Sequence, residues 1–283
     1  LEDMDLDGVD AEVLYFGGPV TQYPADPALR RYIVSRYNDW MVELSRAAPT
    51  RLIGLGHVAL VDVDEAVGEL ERIATLGLRG FHCDPYPDER GGKPLWDPSY
   101  EPFWSAVAAS GLPMSFHIVA PRRVDLRATF LSPVPGVKEN LIALTPLGIS
   151  EVVSTLTFTG VLERHPTLRF VLVECGIGWI PYFLERMDQT FEKHRFWTRS
   201  VIKEKPSTYW YRQGYATFIR DLVGVRERHH AGVRNIMWST DYPHSDSTWP
   251  KSREALAEHC RDVPAEERAL IAGGNAARLY CLG

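Results

Sequence analysis

The chain is 283 residues long, with 45% apolar and 24% charged residues. That composition excludes a disordered, collagen-like or coiled-coil protein, and the length approaches the roughly 250 residues of one (β/α)8 barrel. Lys and Arg number 31 against 37 Asp and Glu, a formal charge of −6, which argues against nucleic acid as the main partner because phosphate binding wants a basic face.

Short apolar, β-rich runs alternate with helical patterns. Val9 to Phe16 (VDAEVLYF) reads as a strand ending at Gly17-Gly18. A helix is expected over Pro27 to Ala47, then a strand over Arg51 to Leu60 (RLIGLGHVAL). Asp64 to Leu76 reads as an amphipathic helix, with Ala66, Val67, Leu70 and Ile73 on one face and Asp62 or Asp64 as cap. Leu78 to Cys83 (LRGFHC) is a strand, and Asp84 to Pro98 a loop. Glu101 to Ser110 is a helix stopped by Gly111, and Leu112 to Val119 (LPMSFHIV) a strand. Ala120 to about Pro146 reads as one long irregular stretch. Ile149 to Arg164 is helical and ends at His165-Pro166. Leu168 to Cys175 (LRFVLVEC) is a strand, followed by a helix from Trp179 to about Trp197. Tyr215 to Arg220 (YATFIR) and Val233 to Ser239 (VRNIMWS) are strands. Helices over Ser252 to Cys260 and Pro264 to Ala272 finish the chain.

Apolar strands alternating with helices imply a parallel sheet covered by helices. No composition break divides the chain, so residues 1–283 read as one domain. No GxGxxG follows a strand and no GxxxxGK[ST] occurs, which disfavours dinucleotide and P-loop chemistry. Seven strands are legible, one fewer than a barrel needs, and residue 1 is Leu rather than Met. The expected fold class is therefore α/β, a (β/α)8 TIM barrel whose first strand lies upstream of Leu1. A seven-stranded or open doubly wound sheet is the alternative. Cys83, Cys175, Cys260 and Cys281 form no CxxC pair and are expected as free thiols in a reducing, cytoplasmic compartment. No run of 18 apolar residues and no secretory signal is visible, so no membrane association is expected.

A parallel barrel places its active site at the C-terminal ends of the strands. His57, His82, His117, Glu174, Arg220, Asp241 and His244 fall at or near such ends. Histidines and carboxylates converging on one mouth suit a divalent metal with an open coordination position. His57 has apolar neighbours and reads as a hydrogen-bonded core residue; His82 divides evenly between pocket lining and packing. His117 reads as a ligand, since an unpaired polar group in an apolar strand is costly. Glu174 ends the run LRFVLV and must be paired, metal-bound or proton-carrying. Cys175 reads as a small buried hydrophobe. His165, His194, His229, His230 and His259 read as surface. Trp179 and Trp249 either wall a pocket for a planar substrate or pack loops.

Four motifs add a resemblance. YNDW (Tyr37 to Trp40), ERHPTLRFVLVECGIGWIPYFLERMD (Glu163 to Asp188), WSTDYPHSDSTWP (Trp238 to Pro250) and GGNAARLY (Gly273 to Tyr280) resemble the amidohydrolase-related family. This is the branch that contains aminocarboxymuconate-semialdehyde decarboxylase and the aromatic-acid decarboxylases. The resemblance covers essentially the whole chain and implies a (β/α)8 barrel with one divalent metal, zinc first and manganese second. It implies that His117 is the strand-five ligand, and that Asp241 is the strand-eight aspartate that binds metal and handles protons. Glu174 stands where many members carry a histidine. A carboxylate there accepts a proton but repels a carboxylate substrate unless metal or Arg220 compensates. Members also carry an HxH or ExH ligand pair on the first strand. No expected strand carries such a pair here, and its expected place is upstream of Leu1.

The reading is a metal-dependent hydrolase acting on a small organic substrate, an aromatic one among the candidates, through metal-activated water. His117 and Asp241 bind the metal, Asp241 or Glu174 is the general base, and His244 and Arg220 orient substrate or stabilise charge. His82, Trp179 and Trp249 line the substrate. A non-oxidative decarboxylase is the alternative, and a metal-free barrel serving as a binding or partner subunit is the third. A homodimer is expected, with the aromatic loops Phe196-Trp197 and Tyr209 to Tyr211 as contacts.

Overall fold

The computed structural model describes residues 1–15, 23–118, 122 and 124–282, the side chains of 126 and 127 aside. Gly17-Gly18, expected to end the first strand, lies outside the described residues. The strands are β1 (Glu12–Leu14), β2 (Leu52–Gly54), β3 (Gly56–His57), β4 (Phe81–Cys83), β5 (Met114–His117), β6 (Phe170–Val173), β7 (Gly214–Phe218) and β8 (Ile236–Trp238). Every pairing is parallel and follows chain order, β1 with β2 and then β3 through β8. β2 and β3 are halves of the single run read over Arg51 to Leu60. That run changes partner at its middle: the Leu55 N–H donates to Leu14, the Gly56 N–H to Gly80. The architecture is that of the TIM barrel.

Alternation sets the two faces of the sheet. Met114, Phe170 and Gly214 lie side by side in register, as do Phe116, Leu172, Ala216 and Ile236. All of these but Gly214 belong to the main core, together with helix residues such as Phe103, Val152 and Leu156. The opposite face carries His57, His82, Ser115, Val171 and Tyr215 in one row, with His117 and Val173 paired two residues further on. A smaller cluster of Leu55, Val171, Val173 and Met237 fills the inner face, packed by Val13 and Tyr15 and by Leu279 and Tyr280 from the chain's end. Tyr280 Oη lies 2.8 Å from Tyr15 Oη, which also reaches Ser115 Oγ. The closing NAARLY segment thus inserts into the sheet's inner face. Asn275 anchors it by donating to the Val233 and Ile236 carbonyls.

The helices form where the sequence signals them. Pro27–Arg46 is capped by Asp26, whose carboxylate accepts from the Ala28 and Leu29 N–H groups. Val63–Leu76 is capped by Asp62 and buries Ala66, Leu70 and Ile73; each large apolar side chain adds about 1.5–3 kcal/mol by leaving water. Gly111, in the left-handed region, ends Glu101–Ser110.

Several expectations need correction. Part of the stretch read as irregular is helical, over Leu126–Leu131 and Val137–Gly148. The single helix read over Ile149 to Arg164 is two, Ser150–Phe158 and Val161–Arg164, separated at Gly160 with φ 77. An unexpected helix, Pro206–Gln213, buries Tyr209 and Trp210, so these aromatics do not form an exposed loop. Phe196 and Trp197 are exposed as expected. His165 is not a free surface residue, since it pairs with Glu101 at 2.9 Å. The run Val137–Phe158 is long and apolar enough to cross a membrane, against the expectation that no such run exists. Its second half packs Val152, Val153 and Leu156 into the core, while Ile142, Leu144 and Leu147 of the first half are exposed. The four cysteines are free thiols.

Candidate metal centre and active site

Apolar strands deliver polar residues to one end of the sheet. β5 finishes in His117, the chain leaves β6 through Glu174, and it leaves β8 towards Asp241. Glu174 (φ 63) and Asp241 (φ 56) both sit in the left-handed region, which costs a residue with a Cβ about 1–2 kcal/mol. Surrounding bonds hold that geometry. The Glu174 N–H donates to Thr217 Oγ1 at 2.7 Å. The Asp221 carboxylate accepts from the Ile177, Gly178 and Gly224 N–H groups. The approach is so close that a Cβ on Gly178 would lie 2.9 Å from Asp221 Oδ1. Trp179 Nε1 donates to the Cys175 carbonyl and closes the same bend. At the other end, the His244 N–H donates to the Asp241 carbonyl.

The side chains converge. His117 Nε2 lies 2.8 Å from Glu174 Oε2. His244 Nδ1 lies 2.9 Å from Asp241 Oδ2 and 3.8 Å from Glu174 Oε1. One ligand atom each of Glu174, Asp241 and His244 falls within 4.8 Å of the others. Burial disfavours charge on His117, yet the Glu174 carboxylate and the Ile118 carbonyl hold its pKa above the ordinary value. Burial and the neighbouring Glu174 charge push Asp241 up, opposed by His244.

The donor set fits a divalent ion on one internal observation. His117 Nδ1 sits 2.9 Å from the Ile118 carbonyl, which only accepts, so Nδ1 carries a proton. Nε2 then faces a Glu174 carboxylate oxygen at 2.8 Å: with the ring protonated this is a hydrogen-bonded ion pair, and with the ring neutral it is a pair of acceptors suited to a bound cation. A histidine that donates one N–H to a carbonyl is oriented as metal-bound histidines are. Imidazole with carboxylates suits zinc and manganese alike.

Other expected site residues lie elsewhere. Arg220 is exposed and makes no hydrogen bond or ion pair among the described residues; its neighbour Asp221 pins the Glu174 bend instead. Trp179 packs on Phe183. Trp249 packs on Tyr242 at 5.7 Å between ring centroids, half-exposed. Cys175 is buried and burial pushes its thiol up, which leaves it inert. His57 and His82 are both buried and touch each other. Sequence reading missed their partners Tyr23, Asp84 and Arg90. Asp84 directly follows the strand residues FHC, the same signal that drew attention to Glu174.

Comparison with known proteins decides the family. The amidohydrolase family model matches residues 10–282. The chain belongs to the amidohydrolase family. Relatives of this amidohydrolase include gamma-resorcylate decarboxylases. The one from Polaromonas sp. is 26% identical over 99% of this chain and 85% of its own. That from Rhodococcus jostii is 29% identical over 100% and 86%. In structure it is similar to 5-carboxyvanillate decarboxylase from Sphingomonas paucimobilis, with TM-score 0.84 and 28% identity over 100% of this chain and 82% of that one. A dihydroxybenzoic acid decarboxylase from Polaromonas sp., solved with manganese and 2-nitroresorcinol, shares the fold at TM-score 0.78 and 24% identity, over 99% and 84%. These relatives are carboxy-lyases rather than hydrolases, so they favour the alternative reading over the hydrolase.

Proposed function

We propose that this amidohydrolase is a metal-dependent, non-oxidative decarboxylase of a small aromatic acid. The observation that carries the reading is the pair of strand-end carboxylates, Glu174 and Asp241, crowded beside His117 and His244 in a chain whose full-length relatives are aromatic-acid decarboxylases.

His117 Nε2 and Asp241 would hold the ion, with Glu174 and His244 as further donors. Bound there, it supplies positive charge that offsets the carboxylates and polarises substrate oxygens. The chain's own groups do the rest. Asp241, whose pKa burial and the Glu174 charge raise, is the group placed to deliver a proton to the ring carbon that bears the carboxylate. The bond between that carbon and the carboxylate breaks, its electron pair restores the aromatic ring, and carbon dioxide leaves. His244, hydrogen-bonded to Asp241 and 63% exposed, returns a proton from solvent. Glu174 repels a substrate carboxylate from its own side, while the Ile118 carbonyl keeps the His117 ring in orientation.

The test is turnover of 2,6-dihydroxybenzoate and 5-carboxyvanillate by the manganese-loaded protein in oxygen-18 water. Carbon dioxide equal to product, with no label in the product, supports decarboxylation. Labelled product from an ester or amide would replace it with hydrolysis. Ligand binding without turnover would leave a binding subunit.

A further inference from the structure

Asp221 makes bonds that the reaction above does not use. It lies just after β7 and caps the short helix Leu222–Arg226, accepting from the Gly224 N–H at 2.7 Å. The same carboxylate crosses to the exit of β6. Its Oδ2 accepts from the Ile177 N–H at 2.6 Å and from the Gly178 N–H at 2.7 Å. A backbone N–H can only donate, so the direction of all three bonds is fixed.

The bend that Asp221 holds is sharp. Glu174 has φ 63 and Gly176 φ 64, both in the left-handed region. A Cβ on Gly176 would lie 3.2 Å from Asp221 Oδ2, and one on Gly178 would lie 2.9 Å from Oδ1. The chain is thus folded closely around this carboxylate, with glycine at both points of approach. The start of the bend is tied to β7 as well, by the Glu174 N–H on Thr217 Oγ1. With residue 174 held at its own N–H and residues 177 and 178 held at theirs, the backbone at Glu174 has little room to turn. Its carboxylate is delivered to 2.8 Å from His117 Nε2 and 3.8 Å from His244 Nδ1.

Among the described residues no hydrogen bond or ion pair joins Asp221 to His117, Asp241 or His244; its side chain bonds backbone N–H groups alone. Its bonded route to the metal centre therefore runs through the β6 exit.

We propose that Asp221 is a positioning residue for the metal centre: it acts through Glu174, by holding the β6 exit in the turn that points the Glu174 carboxylate at His117. The proposal rests on the preceding reading only for the presence of a divalent ion beside Glu174. Asparagine at position 221 would offer one carbonyl oxygen and an NH2 that donates. In either orientation at least one of the three N–H groups then faces a donor, so the bend loosens while the side-chain volume is kept.

The experiment is a double-mutant cycle on manganese affinity. Chelator-stripped protein is titrated and free manganese(II) is read by electron paramagnetic resonance. Asp221→Asn is expected to weaken binding about tenfold. In a Glu174→Ala background, where no carboxylate is left to position, the same substitution should change affinity by no more than about twofold. Urea unfolding of each variant shows that folded protein is being titrated. Gly178→Ala is the second variant. It keeps every donor and acceptor but pushes the Asp221 carboxylate away, and it should weaken manganese binding by a smaller factor, again only where Glu174 is present. Should Asp221→Asn fail to fold, Gly178→Ala decides alone. Unchanged manganese affinity in the folded variants overturns the proposal, because Asp221 then serves the fold only. An undiminished loss in the Glu174→Ala background also overturns it, because the Asp221 charge then acts directly. The titration uses no substrate. A protein that releases carbon dioxide yet shows no coupling keeps the function and loses this inference. Coupling without carbon dioxide release does the reverse.

Discussion

Two halves of the barrel interior handle polar groups in opposite ways. On the β5, β6 and β8 side, Glu174 and Asp241 are forced into left-handed backbone, crowd each other, and meet solvent through an exposed His244. On the β3 and β4 side, His57, His82, Asp84 and Tyr23 lie on unstrained backbone, deeply covered and joined end to end. The first arrangement keeps like charges together and needs a counter-ion. The second joins its groups end to end, and burial keeps its two histidines from taking up charge. Charged and uncharged polar groups therefore need different surroundings, even a layer apart in one barrel.

The sharpest way to break the contrast is Asp241→Asn. It removes the proton-delivering group while keeping shape, and decarboxylation is expected to fall about 10²–10⁴-fold in kcat; steady-state rates with and without added manganese check this. Asp84→Asn attacks the other half. It strands Arg90, which is 23% exposed, and should cost about 3 kcal/mol of stability with no direct loss of metal, read by urea unfolding and calorimetry together. Glu174→Gln removes a charge beside His117 and is expected to weaken manganese binding about 10–100-fold, measured by titration of the chelator-stripped protein.

The halves should also answer pH with opposite sign. The unfolded chain protonates His57 near its ordinary value of 6.5, but the folded protein resists until about 3. The His57 contribution is thus complete above pH 6.5 and is lost as pH falls through that window, at up to about 1.4 kcal/mol per pH unit. His57→Gln should flatten that acid limb in denaturation curves taken from pH 7 down to 4. His117 is raised, so in the metal-free protein its contribution is present below 6.5 and is lost as pH rises through the folded value. Saturating metal should abolish that alkaline loss.

The strand ends were legible because burial is periodic and charge is expensive inside. A histidine closing LPMSFH and a glutamate closing LRFVLVE stand out against apolar runs, and both fall in the cluster with Asp241 and His244. The helices at Leu126–Leu131 and Val137–Gly148 were hidden by Pro133, Pro135 and Pro146, which read as breakers, though Pro146 lies inside its helix. The helix Pro206–Gln213 crowds aromatics without an apolar period, and only the tertiary fold shows Tyr209 and Trp210 turning inward. The Arg90–Asp84–Tyr23–His57–His82 line was invisible because its links join separate segments. Arg220 was read from its place after YATFI, whereas the neighbouring Asp221 makes the contacts.

The left-handed backbone at positions 174 and 241 has a practical consequence. Glycine adopts that conformation without steric penalty, so Glu174→Gly and Asp241→Gly relieve conformational strain and remove one of two crowded carboxylates in one step. A blind selection for heat resistance should therefore return these two sites early, each hit a hardier and chemically silent protein. Such a screen would map the reactive centre with no substrate in hand.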